Sequence, residues 1–227
     1  MEYKREKKDF NLKEIVNIEN PETILEQAAP FLELMMQYRC ALMEVETKLN
    51  VLNEEFAQKY DRNPFESIKS RIKSPRSILE KLKRKGYEFS AESIEENLFD
   101  IAGIRVICSF PDDIYTIAAL LAQQDDITVL ERKDYIKNPK PNGYRSLHLI
   151  LDIPIFLAEK KKHMKVEVQF RTIAMDFWAS LEHKLKYKKN IENPAIVSEE
   201  LRECAEIISA MDERMQNIRD RIEESME

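Results

Sequence analysis

"MKVEVQFRT", residues 164–172, alternates without a break: Val166, Val168 and Phe170 face one way, and Glu167, Gln169 and Arg171 face the other. A period of two is the mark of a β-strand, because successive side chains leave a pleated backbone on opposite faces. An edge strand in contact with water would alternate in the same way. The flanks argue for an interior place, since the apolar run "YRSLHLILDIPI" (144–155) precedes it and "IAMDFWASLEH" (173–183) follows. A carboxylate, an amide and a guanidinium on one face of an inner strand need partners, and a ligand would supply them.

Outward from that strand, "GIRVICSF" (103–110), "ITVLERKDYI" (127–136) and residues 144–155 are rich in β-branched side chains and predict three more strands. Helices are predicted from Ser74-Pro75 to Gly86, over 91–98, over 111–124 and over 173–186. "ENPETILEQAAP" predicts a helix start with Asn20 as cap and Pro21 in the first turn, interrupted at Pro30. Phe31, Met35, Leu42, Val45, Leu49, Leu52 and Phe56 then recur at helical spacing, which predicts one long amphipathic helix that "DRNP" ends. In the last helix Leu201, Cys204, Ile208, Met211, Met215, Ile218 and Ile222 form a heptad seam, able to pack on the 31–60 helix or on a second chain. The fold class is therefore α/β (α+β), a mixed sheet flanked by helices, with a helical arm at 1–62, a core at 63–190 and a C-terminal helix at 191–227.

At 43% hydrophobic and 34% charged residues the 227-residue chain has the composition of a soluble globular protein. No apolar run approaches the roughly 18 residues of a membrane span, and the N-terminus has no signal-peptide core, so a cytoplasmic protein with no membrane partner is expected. Cys40, Cys108 and Cys204 lie far apart beside apolar residues and read as reduced core residues. Only Gly86, Gly103 and Gly143 occur, so loops that cradle phosphate with clustered glycines are absent and any nucleotide is held by side chains. The net charge of −6 argues against general nucleic-acid binding, yet residues 69–85 carry eight bases against Glu80 alone. A cationic patch on an acidic body suggests a compact anionic ligand.

On the helix that follows Ser74, Ser77, Lys81 and Arg84 fall within about 60° of one another, opposite Ile78, Leu79 and Leu82. Arg71 and Lys73 lie where the chain enters the helix N-terminus, which favours anions. This is a triphosphate cradle or a solvated lysine-rich face. Asp100 at the mouth of one strand and Glu167 on another can together hold Mg²⁺, which takes oxygen ligands and keeps several waters, although Asp100 alone also reads as a turn residue. Tyr144 follows Asn142-Gly143 and is either a hairpin aromatic or a stacking platform for a base, with Ser146 and His148 on its face and Lys133, Lys137 and Lys140 near for phosphates. Asp176 can accept two hydrogen bonds from a guanine edge, while Phe177 and Trp178 read as core, and His183 beside Glu182 reads as a surface pair or a site. Together these residues suit an enzyme that binds two nucleotides around Mg²⁺.

"SRIKSPRSILEKLKRKG", "DIAGIRVICSFPDDIY", "DYIKNPKPNGYRSLHLIL" and "VEVQFRTIAMDFWASLEHK" also resemble the synthetase domain of the RelA/SpoT group, most nearly its small single-domain alarmone synthetases of the RelP kind. The resemblance runs motif by motif over about residues 63–190 and implies a fold related to nucleotidyltransferases. It also implies transfer of the β,γ-pyrophosphate of ATP to the 3′-hydroxyl of GDP or GTP, giving ppGpp or pppGpp plus AMP, often by a homotetramer. By that resemblance Arg71 and Arg105 sandwich adenine, Lys73, Ser77, Lys81 and Arg84 hold the ATP phosphates, and Asp100 and Glu167 bind Mg²⁺, with Glu167 also the general base. Tyr144 stacks on guanine, His148 and Gln169 orient the acceptor, Lys133 and Lys140 meet its 5′-phosphates and Asp176 reads guanine. Some relatives carry Asn where this chain has Asp176, which bears on the balance among GMP, GDP and GTP. The His-Asp pair of the bifunctional relatives' hydrolase domain does not occur, so no hydrolase activity is expected. The rival readings are a catalytically silent nucleotide- or RNA-binding regulator and an oligomerising helical scaffold.

Overall fold

The computed structural model describes residues 21–186 and 193–225. The expected Asn20 cap lies outside them. In chain order the elements are α1 (Pro21–Lys59), β1 (Phe65–Ile72), α2 (Pro75–Lys85), α3 (Ala91–Asn97), β2 (Ala102–Cys108), α4 (Pro111–Ala122), β3 (Thr128–Asp134), β4 (Leu147–Phe156), β5 (Lys161–Thr172), α5 (Ile173–Lys186) and α6 (Pro194–Glu224).

The strands form one sheet in the order β1-β2-β5-β4-β3, with β2 and β5 parallel and every other pair antiparallel. The alternating strand that decides the fold thus lies at the centre. Its apolar set, Met164, Val166, Val168 and Phe170, shares a buried core with Ile104, Val106 and Cys108 of β2 and with Leu147, Leu149 and Leu151 of β4. Helices α1 to α4 deliver Leu34, Val45, Ile78, Leu82, Ile94, Ile114 and Ile117 to the same core. Because side chains alternate, the opposite face is left to Arg105, Glu167, Gln169, Arg171 and His148. A smaller cluster, Trp178, Ala179, Leu201 and Ala205, joins α5 to α6, and Trp178 Nε1 donates to the Leu201 carbonyl at 2.9 Å.

Several expectations need correction. Strand β1 is absent from the sequence reading, because its apolar residues Phe65, Ile68 and Ile72 step by three and four. A register shift between Phe65 and Ser67 breaks the alternation that would have revealed it. Pro30 does not interrupt the first helix, which runs unbroken through it. A proline inside a helix costs about 3 kcal/mol, but Pro30 is exposed where water can serve the freed carbonyl, and the stripe from Leu34 to Leu49 seats the following turns on the sheet.

Strand β4 starts at Leu147 rather than Tyr144. Asn142 and Gly143 do not form a two-residue hairpin between β3 and β4 but sit inside a longer loop. There Asn142 Oδ1 accepts from Tyr144 N–H at 3.3 Å, Gly143 N–H donates to the Lys140 carbonyl at 2.8 Å, and Gly143 takes φ +86°. Helix α6 lies chiefly against α5 and α4 rather than on the 31–60 helix, through Leu201, Ala205 and Asp212. Cys204 of the heptad seam is exposed, so only Cys108 of the three cysteines is fully buried. Phe177 is also exposed, whereas its neighbour Trp178 is core.

Candidate functional site

The polar sheet face carries the site. Parallel pairing sets Gly103 opposite Glu167 and Arg105 opposite Gln169, and antiparallel pairing sets Lys69 opposite Arg105 and Arg71 opposite Gly103. Gly103 has no side chain, and the Arg71 side chain lies over it, with Cγ and Nε 3.9 Å from where a Cβ would stand. A cavity of 110 Å³ opens between Lys69, Arg71, Arg105, Glu167 and Gln169. A larger one of 480 Å³ adjoins it, with Arg71 and Arg105 in its wall, Tyr144 and Arg171 beside them, and Ser180, Glu182 and His183 of α5 facing them.

Helix α2 reaches this face from the β1 end. Ser74 caps it, accepting from Ser77 N–H at 3.3 Å and donating its hydroxyl proton to Ser77 Oγ at 2.9 Å, and Pro75 opens the first turn. Gly86 closes the helix at φ +71°, donating to Leu82 and Lys83 carbonyls. Ile78 and Leu82 pin one side in the core, which turns Lys81 toward Asp100. Lys73 and Lys81 each bring Nζ to 2.7 Å from a different oxygen of Asp100, just before β2. Burial alone would raise the Asp100 carboxyl, but the hydrogen bonds from Lys73 and Lys81 outweigh it and hold the group below its usual value. Two ammonium groups on one carboxylate leave a positive excess. Arg84 is exposed one turn beyond Lys81, and Ser77 is engaged in the cap.

Glu167 is held by both oxygens: His148 Nδ1 lies 3.1 Å from Oε1, and Gln169 Nε2 donates to Oε2 at 2.8 Å. Burial would raise this carboxyl too, yet the hydrogen bonds from His148 and from the Gln169 amide leave it lowered, with Asp100 repelling it. That repulsion puts the two carboxylates within electrostatic reach of each other.

Arg171, buried on β5, donates from Nη1 to Asp176 Oδ1 at 2.9 Å and from Nη2 to Tyr144 Oη at 2.8 Å. Arg105 Nη1 meets the same Asp176 oxygen at 3.2 Å. Burial, then the nearby Arg171 charge, lowers the Arg105 guanidinium, and its Nε is buried without a partner. Tyr144 Oη also lies 2.8 Å from His148 Nε2. The ammonium of Lys140 sits 4.9 Å above the Tyr144 ring, and Lys133 pairs across strands with His148 while its Nζ contacts Glu131 at 2.7 Å.

The predicted residues are thus gathered about one face, with Ser77 and Arg84 exposed on the adjoining α2. His148 and Gln169 both hold Glu167. Arg171 carried no assigned role in the sequence reading, although its place in the alternating strand put it on this face. Lys69 was missed as a cavity wall because β1 was missed.

Among the described residues no group of three or more His, Cys, Asp or Glu converges as a metal cage. Asp100 and Glu167 supply two hard oxygen donors, which is what magnesium takes from protein when water and phosphate complete its shell, so the residues fit that ion.

A family model described as "Region found in RelA / SpoT proteins" matches residues 70–192. The chain is similar to GTP pyrophosphokinase YwaC of Bacillus subtilis, 46% identical over 189 residues that cover 83% of this chain and 90% of that protein. Its fold is similar to the crystal structure of the small alarmone synthetase 2 from Bacillus subtilis, with a TM-score of 0.76 at 45% identity over 84% of this chain and 98% of that one. The small alarmone synthetase 1 of the same organism, bound to its product pppGpp, gives a TM-score of 0.77 at 38% identity, covering 85% and 97% of the two chains.

Proposed function

The chain belongs to the RelA/SpoT family, and from that premise we propose that this site transfers the β,γ-pyrophosphate of ATP to the 3′-hydroxyl of GDP or GTP, yielding ppGpp or pppGpp and AMP. The observation that carries the reading is the convergence of Arg71, Arg105, Glu167 and Gln169 on one cavity with Tyr144 beside it, and with Asp100, held by Lys73 and Lys81, within electrostatic reach of Glu167.

ATP enters on the β1–α2 side. Arg71 and Arg105 stack on adenine through planar guanidinium groups. Lys73 and Lys81 exchange one carboxylate for the more highly charged triphosphate, and Ser77 and Arg84 extend that contact along α2. Asp100 and Glu167 would hold Mg²⁺, which when bound neutralises phosphate charge and favours departure of AMP. GDP or GTP takes the other side, with guanine on Tyr144, its edge read by Asp176, and its 5′-phosphates met by Lys133 and Lys140. Glu167 accepts the 3′-hydroxyl proton as the oxygen attacks the β-phosphorus. His148 and Gln169 serve the acceptor by holding Glu167.

The protein works in the cytoplasm as a homo-oligomer, a tetramer by its family, through apolar stripes on α1 and α6. Among the described residues no helix is long and apolar enough to cross a membrane.

Incubation with ATP, GDP and magnesium, followed by separation of the nucleotides, should yield AMP and ppGpp in equal amounts. Absence of both overturns the reading in favour of a silent nucleotide-binding regulator. Glu167→Gln should lower kcat by about 10²–10⁴-fold with nucleotide binding kept, and a near-normal rate would remove Glu167 from the role.

A further inference from the structure

The hydrogen bonds around Glu167 close a ring whose proton directions are fixed by chemistry. A guanidinium can only donate, so Tyr144 Oη accepts from Arg171 Nη2 at 2.8 Å. The ionised Glu167 carboxylate can only accept, so His148 carries a proton on Nδ1 and donates to Oε1 at 3.1 Å. In the neutral imidazole Nε2 is then an acceptor, and the Tyr144 hydroxyl donates to it at 2.8 Å. A second arm starts at the same Arg171 Nη2, which donates to Gln169 Oε1 at 3.2 Å, while Gln169 Nε2 donates to Glu167 Oε2 at 2.8 Å. Both arms leave one buried guanidinium and end on the two oxygens of one carboxylate.

We propose that Tyr144 acts through its hydroxyl as well as its ring: through His148 it fixes the orientation of Glu167, making the acceptor platform and the activating carboxylate one unit. The inference rests on the reading of Tyr144 as platform and Glu167 as base. His148 is 7% exposed and Arg171 5% exposed, so the Tyr144 hydroxyl serves two groups with little surface of their own open to water. Without it, Nε2 loses its donor and the imidazole loses one of the two hydrogen bonds that fix the ring against Oε1. Tyr135 packs edge-on against both rings, at 6.0 Å from Tyr144 and 5.3 Å from His148, and keeps them together. In this arrangement Tyr144, His148, Gln169 and Arg171 are positioning residues for Glu167, and Tyr144 also touches the acceptor.

Ring and hydroxyl make separable demands on the kinetics. Tyr144→Phe should keep the acceptor KM within about twofold and lower kcat by about 10–100-fold, the usual loss when a group that orients an essential ligand is removed. Tyr144→Ala, measured beside it, should raise the acceptor KM as well. An unchanged KM in Tyr144→Ala would defeat the platform reading itself, whereas a raised KM there with full kcat in Tyr144→Phe would defeat the hydroxyl inference alone. Imidazole ¹⁵N spectra supply a readout that folding defects do not mimic, and the chain has only three histidines to assign. Wild-type His148 should show the proton on Nδ1 and an Nε2 resonance shifted by the tyrosine hydrogen bond, and that shift should be lost in Tyr144→Phe. A proton on Nε2 in the wild type would overturn the proposal.

Discussion

Asp100 shows how the charge of single residues is managed before any ligand arrives. Its folded pKa lies below its usual value because Lys73 and Lys81 outweigh the cost of burial, so the folded protein binds this proton less readily than the unfolded chain. The resulting stabilisation is complete above the ordinary carboxylate range and is lost as pH falls through the folded value. Asp100→Asn has no proton to gain and leaves two partly buried ammonium groups without an anion. Its Tm should therefore fall below wild type at neutral pH, and the gap should narrow between about pH 5 and pH 3. Calorimetry of the ligand-free proteins checks this, and a gap constant with pH would deny the pairing. The sequence exposed Asp100 and the basic helix separately, but nothing in their spacing could show that two lysines, one on each side of Ser74, close on one carboxylate. Glu167, Gln169 and Arg171 were legible as a set because a strand repeats every two residues. Their hydrogen-bond directions were not, since these depend on which side chains of β4 and of the loop before it come opposite.

Helix α6 governs the elements on the acceptor side from outside the sheet. A Cβ on Gly143 would lie 2.5 Å from Ala205 Cβ and 3.3 Å from Arg202 Cα, and Arg145 Nη1 donates to the carbonyls of Gly143 at 3.1 Å and of Ala205 at 3.3 Å. The loop that presents Tyr144 is thus seated on this helix with no spare room. Gly143→Ala adds a left-handed backbone penalty of about 1–2 kcal/mol to that clash. It should lower Tm and raise the acceptor KM several-fold more than the KM for ATP. Ala205→Gly, which removes the nearest clashing atom, should restore part of the loss in the double variant, and no recovery would show that the seat does not matter.

Farther along α6, Asp212 accepts the Thr172 hydroxyl proton, and Thr172 Oγ1 accepts from Met175 N–H at 3.1 Å, which fixes the cap of α5 one turn from Asp176. Burial raises the Asp212 carboxyl. The folded state therefore holds this proton more tightly, and the group costs stability that grows as pH rises through its folded value. Asp212→Asn can still accept from Thr172 and should match or exceed wild-type Tm at neutral pH, losing that advantage in acid. A lower Tm at neutral pH would mean that the charge itself is needed. These element contacts explain what the sequence withheld: α6 read as a heptad seam, yet beside Leu201 of that seam its buried face uses Ala205 and Asp212, small or polar positions that the seam does not include.

At the scale of the whole molecule two apolar stripes have no partner among the described residues. On α1, Leu32, Met36, Met43 and Val51 are exposed on the side away from the core stripe, and on α6, Ile207, Met211, Met215 and Ile222 are exposed beside the face that meets α5. At about 100° per residue each set falls within a quarter to a third of a turn. Charged residues surround both stripes, which keeps an isolated chain soluble yet leaves rows of large side chains that a second copy can cover. A closed assembly built on two such faces matches the helical arrangement better than a crowd of weak contacts, because oligomers of identical chains close by symmetry. If α6 carries one interface, replacing Met211 and Met215 by Lys places two charges in the middle of its stripe without touching Leu201, Ala205 or Asp212. The double variant should then elute as a smaller species by size-exclusion chromatography with light scattering. Its intrinsic fold should be kept, as judged by circular dichroism, because those positions are exposed within the chain. The same mass as wild type would assign assembly to α1, and a wild-type monomer would refute it for both helices. Turnover measured across a dilution series links this to the active site: since α6 seats the Tyr144 loop, loss of assembly should raise the acceptor KM before it affects ATP.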